Sequence, residues 1–413
     1  MYVHQVSFFS LPDFLRIDRG SRLVMVLEAL DAERLLRVLE QERKGRRNDY
    51  PVRSLWYSLI AGLVYGRPTI TSLIEELKIN PGLRLLCGMT SEGKVPPPWV
   101  YSRFLKKLAQ HQDLLQEIFD RAVSELAELT PDFGRNLAID STDVKAWSNP
   151  YRKPPSDPDA GWGVKKADGK QDLYRWLGYK LHLVVDADYE IPVAFEVTPA
   201  NQDDGRTALP LLHGLKEEHP VIIERAEHFM ADKGYDQKDI YKLLISERFD
   251  IKPVIPLNLR GEKSPPGITN SQGTPLCVSG QQMYYAGYDN GFLKYRCPAI
   301  STGVKCQARQ PCCRLDGYGT VVKLNTREDP RRYTPVPRET KKWARLYKKR
   351  TAVERVNSRL KQHLLLDELR VRGLGRVKVR LTLSLLVMMG AALSMARRKQ
   401  WEDIRRLVRA AAA

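Results

Sequence analysis

Asp140, Asp232 and Glu354 are the residues of this chain best suited to do chemistry together. Asp140 ends the β-rich run Asn136-Leu137-Ala138-Ile139, and Asp232 ends the run His228-Phe229-Met230-Ala231. Strand ends are where mixed α/β sheets present functional side chains. Each aspartate taken alone also reads as a turn or helix-capping residue. Glu354 is better marked. It is the only acid between Lys341 and Lys361, a stretch with nine Lys and Arg: Lys341, Lys342, Arg345, Lys348, Lys349, Arg350, Arg355, Arg359 and Lys361. At about 100° per residue of an unbroken helix, Tyr347, Arg350, Glu354 and Lys361 share an arc of roughly 60°. Leu346, Val353, Val356, Leu360 and Leu364 form a separate apolar stripe. The plain alternative for Glu354 is an ion pair with Arg350 at i, i+4, worth a few tenths of a kcal/mol.

Gathering the three carboxylates is repulsive, at about 3 kcal/mol for a pair ~5 Å apart with an effective dielectric of ~20. Divalent cations remove that cost. An all-oxygen donor set favours Mg²⁺ or Mn²⁺, and two such ions serve in-line phosphoryl displacement by stabilising the attacking and leaving oxygens. Asp143 is a rival for Asp140, although three residues along an extended strand it is expected to face the other way. Asp236 reads as a turn or cap residue.

The elements that must position these residues follow from periodicity. From about Leu23 to Leu129 the apolar spacing is helical, as in Leu55, Leu59 and Leu63, then Leu73, Ile74 and Leu77. Ser72 and Glu75 have capping-box spacing, and Gly66-Arg67-Pro68 breaks the preceding helix. Lys94-Val95-Pro96-Pro97-Pro98 excludes helix, and two helices are expected beyond it, Trp99 to Ala109 and Asp113 to Leu129. After Pro131 five strands are expected, within 136–140, 179–185, 191–197, 228–232 and 250–255. The second and third are joined at hairpin length. A helix over 237–246 makes the last two strands a β-α-β unit, hence a parallel pair. A Pro/Gly/Ser-rich stretch then opens an insertion, residues 257–337, with a hairpin expected at Asp289-Asn290-Gly291. Helical periodicity resumes at Lys341 and runs to Arg409 with one break at Gly373-Leu374-Gly375.

Composition narrows the partner. The 413 residues carry a formal charge of +18 with 28% charged and 43% hydrophobic residues, which suits a globular protein with a polyanionic partner. Nucleic acid leads and an acidic membrane surface is second. The N-terminus lacks a basic segment followed by an apolar one, so a cytoplasmic location is expected. The uncharged run from Leu381 to Ala396 falls short of the ~20 residues that span a bilayer and is expected to be a buried core helix. Of six cysteines, Cys277, Cys297, Cys306, Cys312 and Cys313 lie in the insertion. Four thiolates suffice for a structural Zn²⁺, with Cys277, Cys297, Cys306 and Cys312 as the candidate set. No C-x-x-C pair is present, and unligated cysteines in a small β subdomain are the alternative. Tyr284, Tyr285, Tyr288 and Tyr295 are expected to pack that subdomain or stack on nucleic acid.

Tyr347, Arg350, Glu354 and Lys361 stand in the order Y-x2-R-x3-E-x6-K, and the chain here resembles a large group of bacterial insertion-sequence DDE transposases. The segments 138–142, 178–182, 198–201 and 232–235 are similar to that group as well. The resemblance covers residues 136–255 and 341–369, and only loosely the N-terminal helices. It implies a ribonuclease-H-like mixed sheet flanked by helices, the first Asp on the first strand, the second after the fourth and the Glu on a later helix. The implied organisation is an N-terminal all-helical region over 1–130 that binds DNA ends, a catalytic core over 131–256 and 338–413, and an inserted β-rich subdomain over 257–337. Asp140, Asp232 and Glu354 are then the catalytic metal ligands, with Tyr347, Arg350 and Lys361 on DNA. The implied partners are the terminal inverted repeats and target DNA, bound by a homodimer on paired ends, with no membrane. A nuclease of the same fold without strand transfer and a silenced DNA-binding relative are the alternatives.

Overall fold

In this computed structural model the described residues are 22–43, 49–89, 94–166, 173–259, 269–306 and 319–406. Among the described residues seven helices come first: α1 (Arg22–Ala29), α2 (Glu33–Gln41), α3 (Val52–Val64), α4 (Ile70–Ile79), α5 (Pro81–Leu86), α6 (Pro98–Leu108) and α7 (Gln112–Leu129). The capping box lies one turn earlier than the sequence suggests. Thr69 accepts the Ser72 backbone N–H at 3.0 Å, and the Ser72 hydroxyl accepts that of Thr69 at 3.2 Å. Pro68 disfavours helix at the residue before it, so the helix can start directly after the proline. Asn80 caps α5 the same way, with Pro81 at the first helical position.

The sheet consists of β1 (Asn136–Lys145), β2 (Gly161–Lys166), β3 (Leu173–Asp186), β4 (Ile191–Pro199), β5 (His228–Met230) and β6 (Lys252–Val254). β1, β3 and β4 form an antiparallel meander, while β5 pairs parallel with β1 and β6 parallel with β5. This is the mixed sheet expected. The strand β2 was not anticipated. Gly178 of β3 pairs with Lys145 on one side and Gly161 on the other, so β2 continues the edge that β4 occupies further along. The helices α8 (Asp204–Glu218), α9 (Pro220–Arg225) and α10 (Lys238–Ile245) connect the later strands.

The insertion folds as a separate sheet of β7 (Tyr284–Asp289), β8 (Phe292–Arg296) and β9 (Val321–Asn325), with α11 (Pro298–Thr302) between the last two. Asn290 and Gly291 both take positive φ, 44° and 84°, which the tight hairpin demands. Tyr295 is buried and Tyr285 packs on its edge, ring centroids 5.7 Å apart, so these two serve packing, whereas Tyr284 and Tyr288 are exposed. At the root of the insertion, buried Arg338 donates to Ile255 O and Arg331 O, and Arg331 pairs with buried Asp236 at 3.2 Å. Asp236, expected as a turn or cap residue, is therefore an anchor.

The chain ends in α12 (Lys341–Lys348), α13 (Thr351–His363) and α14 (Leu374–Arg397). At 24 residues α14 is longer than the uncharged run and passes a length-and-hydropathy test for a membrane span, yet its apolar window is 94% buried inside the protein. It packs on α1, α3, α6 and α7 and on β4, so one hydrophobic core joins the N-terminal helices to the sheet. Gly390 lets α14 approach α1, since a Cβ there would lie 3.0 Å from Val26 O.

A tighter constraint sits in the sheet. A Cβ at Gly178 would lie 2.1 Å from Val144 O and 2.8 Å from Ala146 N. We expect Gly178→Ala to lower stability by about 3 kcal/mol through strand displacement. Urea denaturation reads this as a lower midpoint at unchanged slope, and a wild-type midpoint would show that the strands can part at no cost.

Candidate active site

Parallel register sets two of the three candidate carboxylates side by side. Ala138 of β1 lies opposite Met230 of β5, and Asp140 and Asp232 each follow two residues on. Adjacent strands are about 4.8 Å apart. β1 continues to Lys145 because β3 still pairs with it, whereas β5 stops and Asp232 caps a 3-10 turn, Lys233–Tyr235. The unexpected β2 makes the strand before Asp232 the fifth in the chain rather than the fourth. Asp140 Oδ1 accepts from Ser141 N at 2.8 Å, and Asp232 Oδ1 from Gly234 N at 2.7 Å. Burial pushes the Asp140 carboxyl up to about 7, and the like charge of Asp232 adds to the effect. Asp232 is raised too, again chiefly by burial.

The third carboxylate arrives through a guanidinium. Arg350 Nη1 lies 3.3 Å from Asp140 Oδ2, and its Nη2 lies 2.5 Å from Glu354 Oε1. The i, i+4 pair weighed from sequence is thus present, but the same side chain also reaches 210 residues back to β1. Its guanidinium stands between two carboxylates as an internal cation. Glu354 is about half exposed (49%), so its share of the pair adds little stability.

The run from 341 is not one helix. α12 and α13 break at Lys349–Arg350, where Arg350 N bonds Tyr347 O and Val353 N bonds Arg350 O, both at three-residue spacing. Tyr347 nevertheless stays beside Arg350, whose guanidinium lies 5.6 Å from its ring centroid. Its ring stacks on Trp343, centroids 4.7 Å apart and 12° between planes. Lys361 is also engaged, with Asp143 at 3.2 Å and Asp367 at 3.7 Å. Strand parity does not keep Asp143 away from α13. Ion pairing distinguishes it from Asp140 instead: despite partial burial, Lys165 at 2.9 Å and Lys361 hold its carboxyl below the usual range.

The turn between β3 and β4 fastens α13. Buried Asp186 accepts from Gly134 N, Asp188 N and Tyr189 N. Glu190, buried and at φ 58°, then pairs with Arg355 at 2.7 Å and with Arg359 and Arg405 at 3.5 Å. Lys349 pairs with Asp188. The inner face of α13 buries Val353, Val356 and Leu360. Three further residues join the site: Lys180 and His182, from a segment similar to the family, and Asp204, which sequence reasoning passed over. Asp204, the first residue of α8, pairs with Lys180 at 2.8 Å, and its charge helps raise Asp232. His182 Nδ1 lies 3.8 Å from Asp204, and burial lowers the imidazole to about 4, so it is neutral at ordinary pH. The doublet Asp203-Asp204 at a helix start was the available signal.

In the insertion, Cys277, Cys297 and Cys306 line one cavity of about 120 Å³. Cys312 lies outside the described residues, as does Cys313. Among the described residues, no three His, Cys, Asp or Glu side chains are gathered as a ready metal site. For the carboxylates the fit to a hard divalent cation rests on donor chemistry: they offer only oxygen, and a cationic group already stands between Asp140 and Glu354.

Two family models match the sequence. Residues 131–389 match one described as a transposase DDE domain, and residues 14–107 match one described as a transposase domain, DUF772. No curated protein matches the chain. Among solved structures the chain is similar to a piggyBac transposase synaptic complex with hairpin DNA, at 10% identity over 95% of this chain and 79% of that one. The TM-score is 0.39, too low to carry an argument.

Proposed function

The chain belongs to the transposase DDE domain family, and on that premise we propose that Asp140, Asp232 and Glu354 are the carboxylates of its catalytic centre. The protein is a DNA transposase, an enzyme that cuts and joins DNA, and its family uses divalent metal ions. One observation supports the assignment above the others: parallel register sets Asp140 beside Asp232, and Arg350 links Asp140 to Glu354.

In this reading the three side chains hold two Mg²⁺ or Mn²⁺ ions. Bound there, the ions neutralise charge on the attacking and leaving oxygens of a phosphodiester. The chain's own groups do the rest. The β1–β5 pair positions Asp140 on β1 and Asp232 just beyond β5, and the Glu190 turn fixes the third ligand through α13. Arg350 and Lys361 would contact DNA phosphates, and the Tyr347 hydroxyl would position the strand. Residues 1–130 bind DNA ends, 131–256 and 338–413 form the catalytic core, and 257–337 is the inserted subdomain. The DNA is the pair of terminal inverted repeats and the target, held by a homodimer. In the insertion a structural Zn²⁺ binds Cys277, Cys297, Cys306 and Cys312; the Cys277 thiol, though partly buried, is held below its ordinary value by hydrogen bonds from Ser279.

Asp140→Asn, Asp232→Asn and Glu354→Gln should each abolish strand cleavage in Mg²⁺ and leave DNA binding intact; cleavage at the wild-type rate by any one of them removes that residue from the centre. Arg350→Ala and Lys361→Ala should each lower the log–log salt slope of DNA binding by about 0.9. Tyr347→Phe should keep that slope and cut more slowly, and unchanged slopes in both cationic variants would sink the phosphate role. Metal analysis after reducing, chelator-free purification should find about one zinc per chain, consistent with a Cys₄ site, and its absence would leave the thiols unligated.

A further inference from the structure

A cavity far along β1 from the carboxylates has cations on its walls and no acid. It lies between the N-terminal helices and the start of α14, with a volume of about 440 Å³, and Arg67, Thr69, Trp147, Arg370 and Arg380 are among its lining residues. A smaller cavity of about 290 Å³ shares Ile70, Leu105, Trp147, Arg370 and Val371 with it and adds Arg372 and Arg376. Neither lining includes an Asp or Glu. Two of these guanidiniums are occupied within the protein: Arg67 pairs with Glu76 at 2.6 Å, and Arg372 donates to Trp147 O. Arg370 lies over the Trp147 ring, 4.0 Å from its centroid, and that ring is 41% exposed.

Arg380 is the anomaly. It lies half-buried on α14, and among the described residues its side chain has no hydrogen-bond or ion-pair partner. Burial alone lowers its guanidinium to about 10. An arginine is among the costliest groups to bury uncompensated. Apolar neighbours such as Leu59, Leu63 and Leu383 do nothing to offset it. What would offset it is an anion, and a planar fork of N–H donors suits phosphate oxygens best. The position is apt for a strand passing the carboxylates. Asp140 to Lys145 spans about 17 Å of extended chain, and Trp147 lies two residues further. A few nucleotides of DNA backbone cover such a distance.

We propose that this cavity is a second phosphate-binding site, in which Arg380, Arg370 and Arg376 hold a backbone phosphate of the DNA strand that the carboxylates act on. The inference rests on the transposase reading, but its test does not depend on catalysis. Binding of a duplex of arbitrary sequence with a single-stranded tail is titrated with salt in metal-free buffer, so the result stands whether or not Asp140, Asp232 and Glu354 hold the ions. Arg380→Met should lower the log–log slope by about 0.7 to 0.9, and the exposed pair Arg370→Ala/Arg376→Ala by about twice that. Lys242→Ala on α10, which also removes one positive charge, should leave the slope at the wild-type value. Without DNA, Arg380→Met should melt no lower than wild type, because the variant removes a half-buried charge that has no partner within the protein; inorganic pyrophosphate should raise the melting midpoint of wild type more than that of Arg380→Met. Slopes equal to wild type in both Arg380→Met and the exposed double variant would overturn the proposal. So would a drop in Lys242→Ala as large as that in Arg380→Met.

Discussion

Bringing acids together in a partly buried cleft is the constraint around which this protein is arranged. Burial and the charge of Asp232 push Asp140 up to about 7, and Asp232 is itself raised by burial and by Asp204. The chain answers with cations at fixed positions. Arg350 stands between Asp140 and Glu354, Lys180 pairs with Asp204, and Lys165 and Lys361 flank Asp143. Asp140, Glu354, Asp143 and Asp204 each have a cationic side chain within 4 Å, and Asp232 instead accepts a backbone N–H. The least compensated place lies between Asp140 and Asp232, where an arriving cation gains most.

Holding such a cleft open needs a rigid frame. The strands supply one half of it through register, with β1 as the shared partner of β3 and β5. The helix that carries Glu354 packs on β1 and β3 and is pinned by the β3–β4 turn as well. There buried Glu190 meets Arg355, Arg359 and Arg405. Removing one member of a buried charge group leaves the others unpaired and is costly, so this cluster ties the orientation of α13 to the sheet.

The N-terminal helices are not a separate body. α14 buries apolar residues around most of its surface, against α1, α3, α6, α7 and β4, so the helical region and the sheet share one core. A shared core fixes the geometry of the seam between them, which is where the cluster of arginines around Trp147 lies. The insertion is attached differently, by buried polar groups: Arg338 on main-chain oxygens, and Arg331 on Asp236.

Local signals in the sequence determined a good deal of this. Short β-rich runs marked β1, β3 and β4, hairpin length made β3 and β4 antiparallel, Asn290-Gly291 marked the turn in the insertion, and one acid among nine bases singled out Glu354. All of these depend on residues within a few positions of one another, where backbone geometry is decided by neighbours. The tertiary structure decided what depends on distant pairs. It added β2, whose Gly161 to Lys166 carries no clear alternation and is a strand only because β3 is there to pair with it. It broke the helix at Lys349–Arg350, where Arg350 reaches β1 and Lys349 reaches Asp188, so two long-range ion pairs accompany a break that periodicity does not record. It also gave Asp143, Asp236 and Glu190 partners at least 22 residues away in sequence. A sequence lists charges, but which of them neutralise one another is set only when packing brings them within reach.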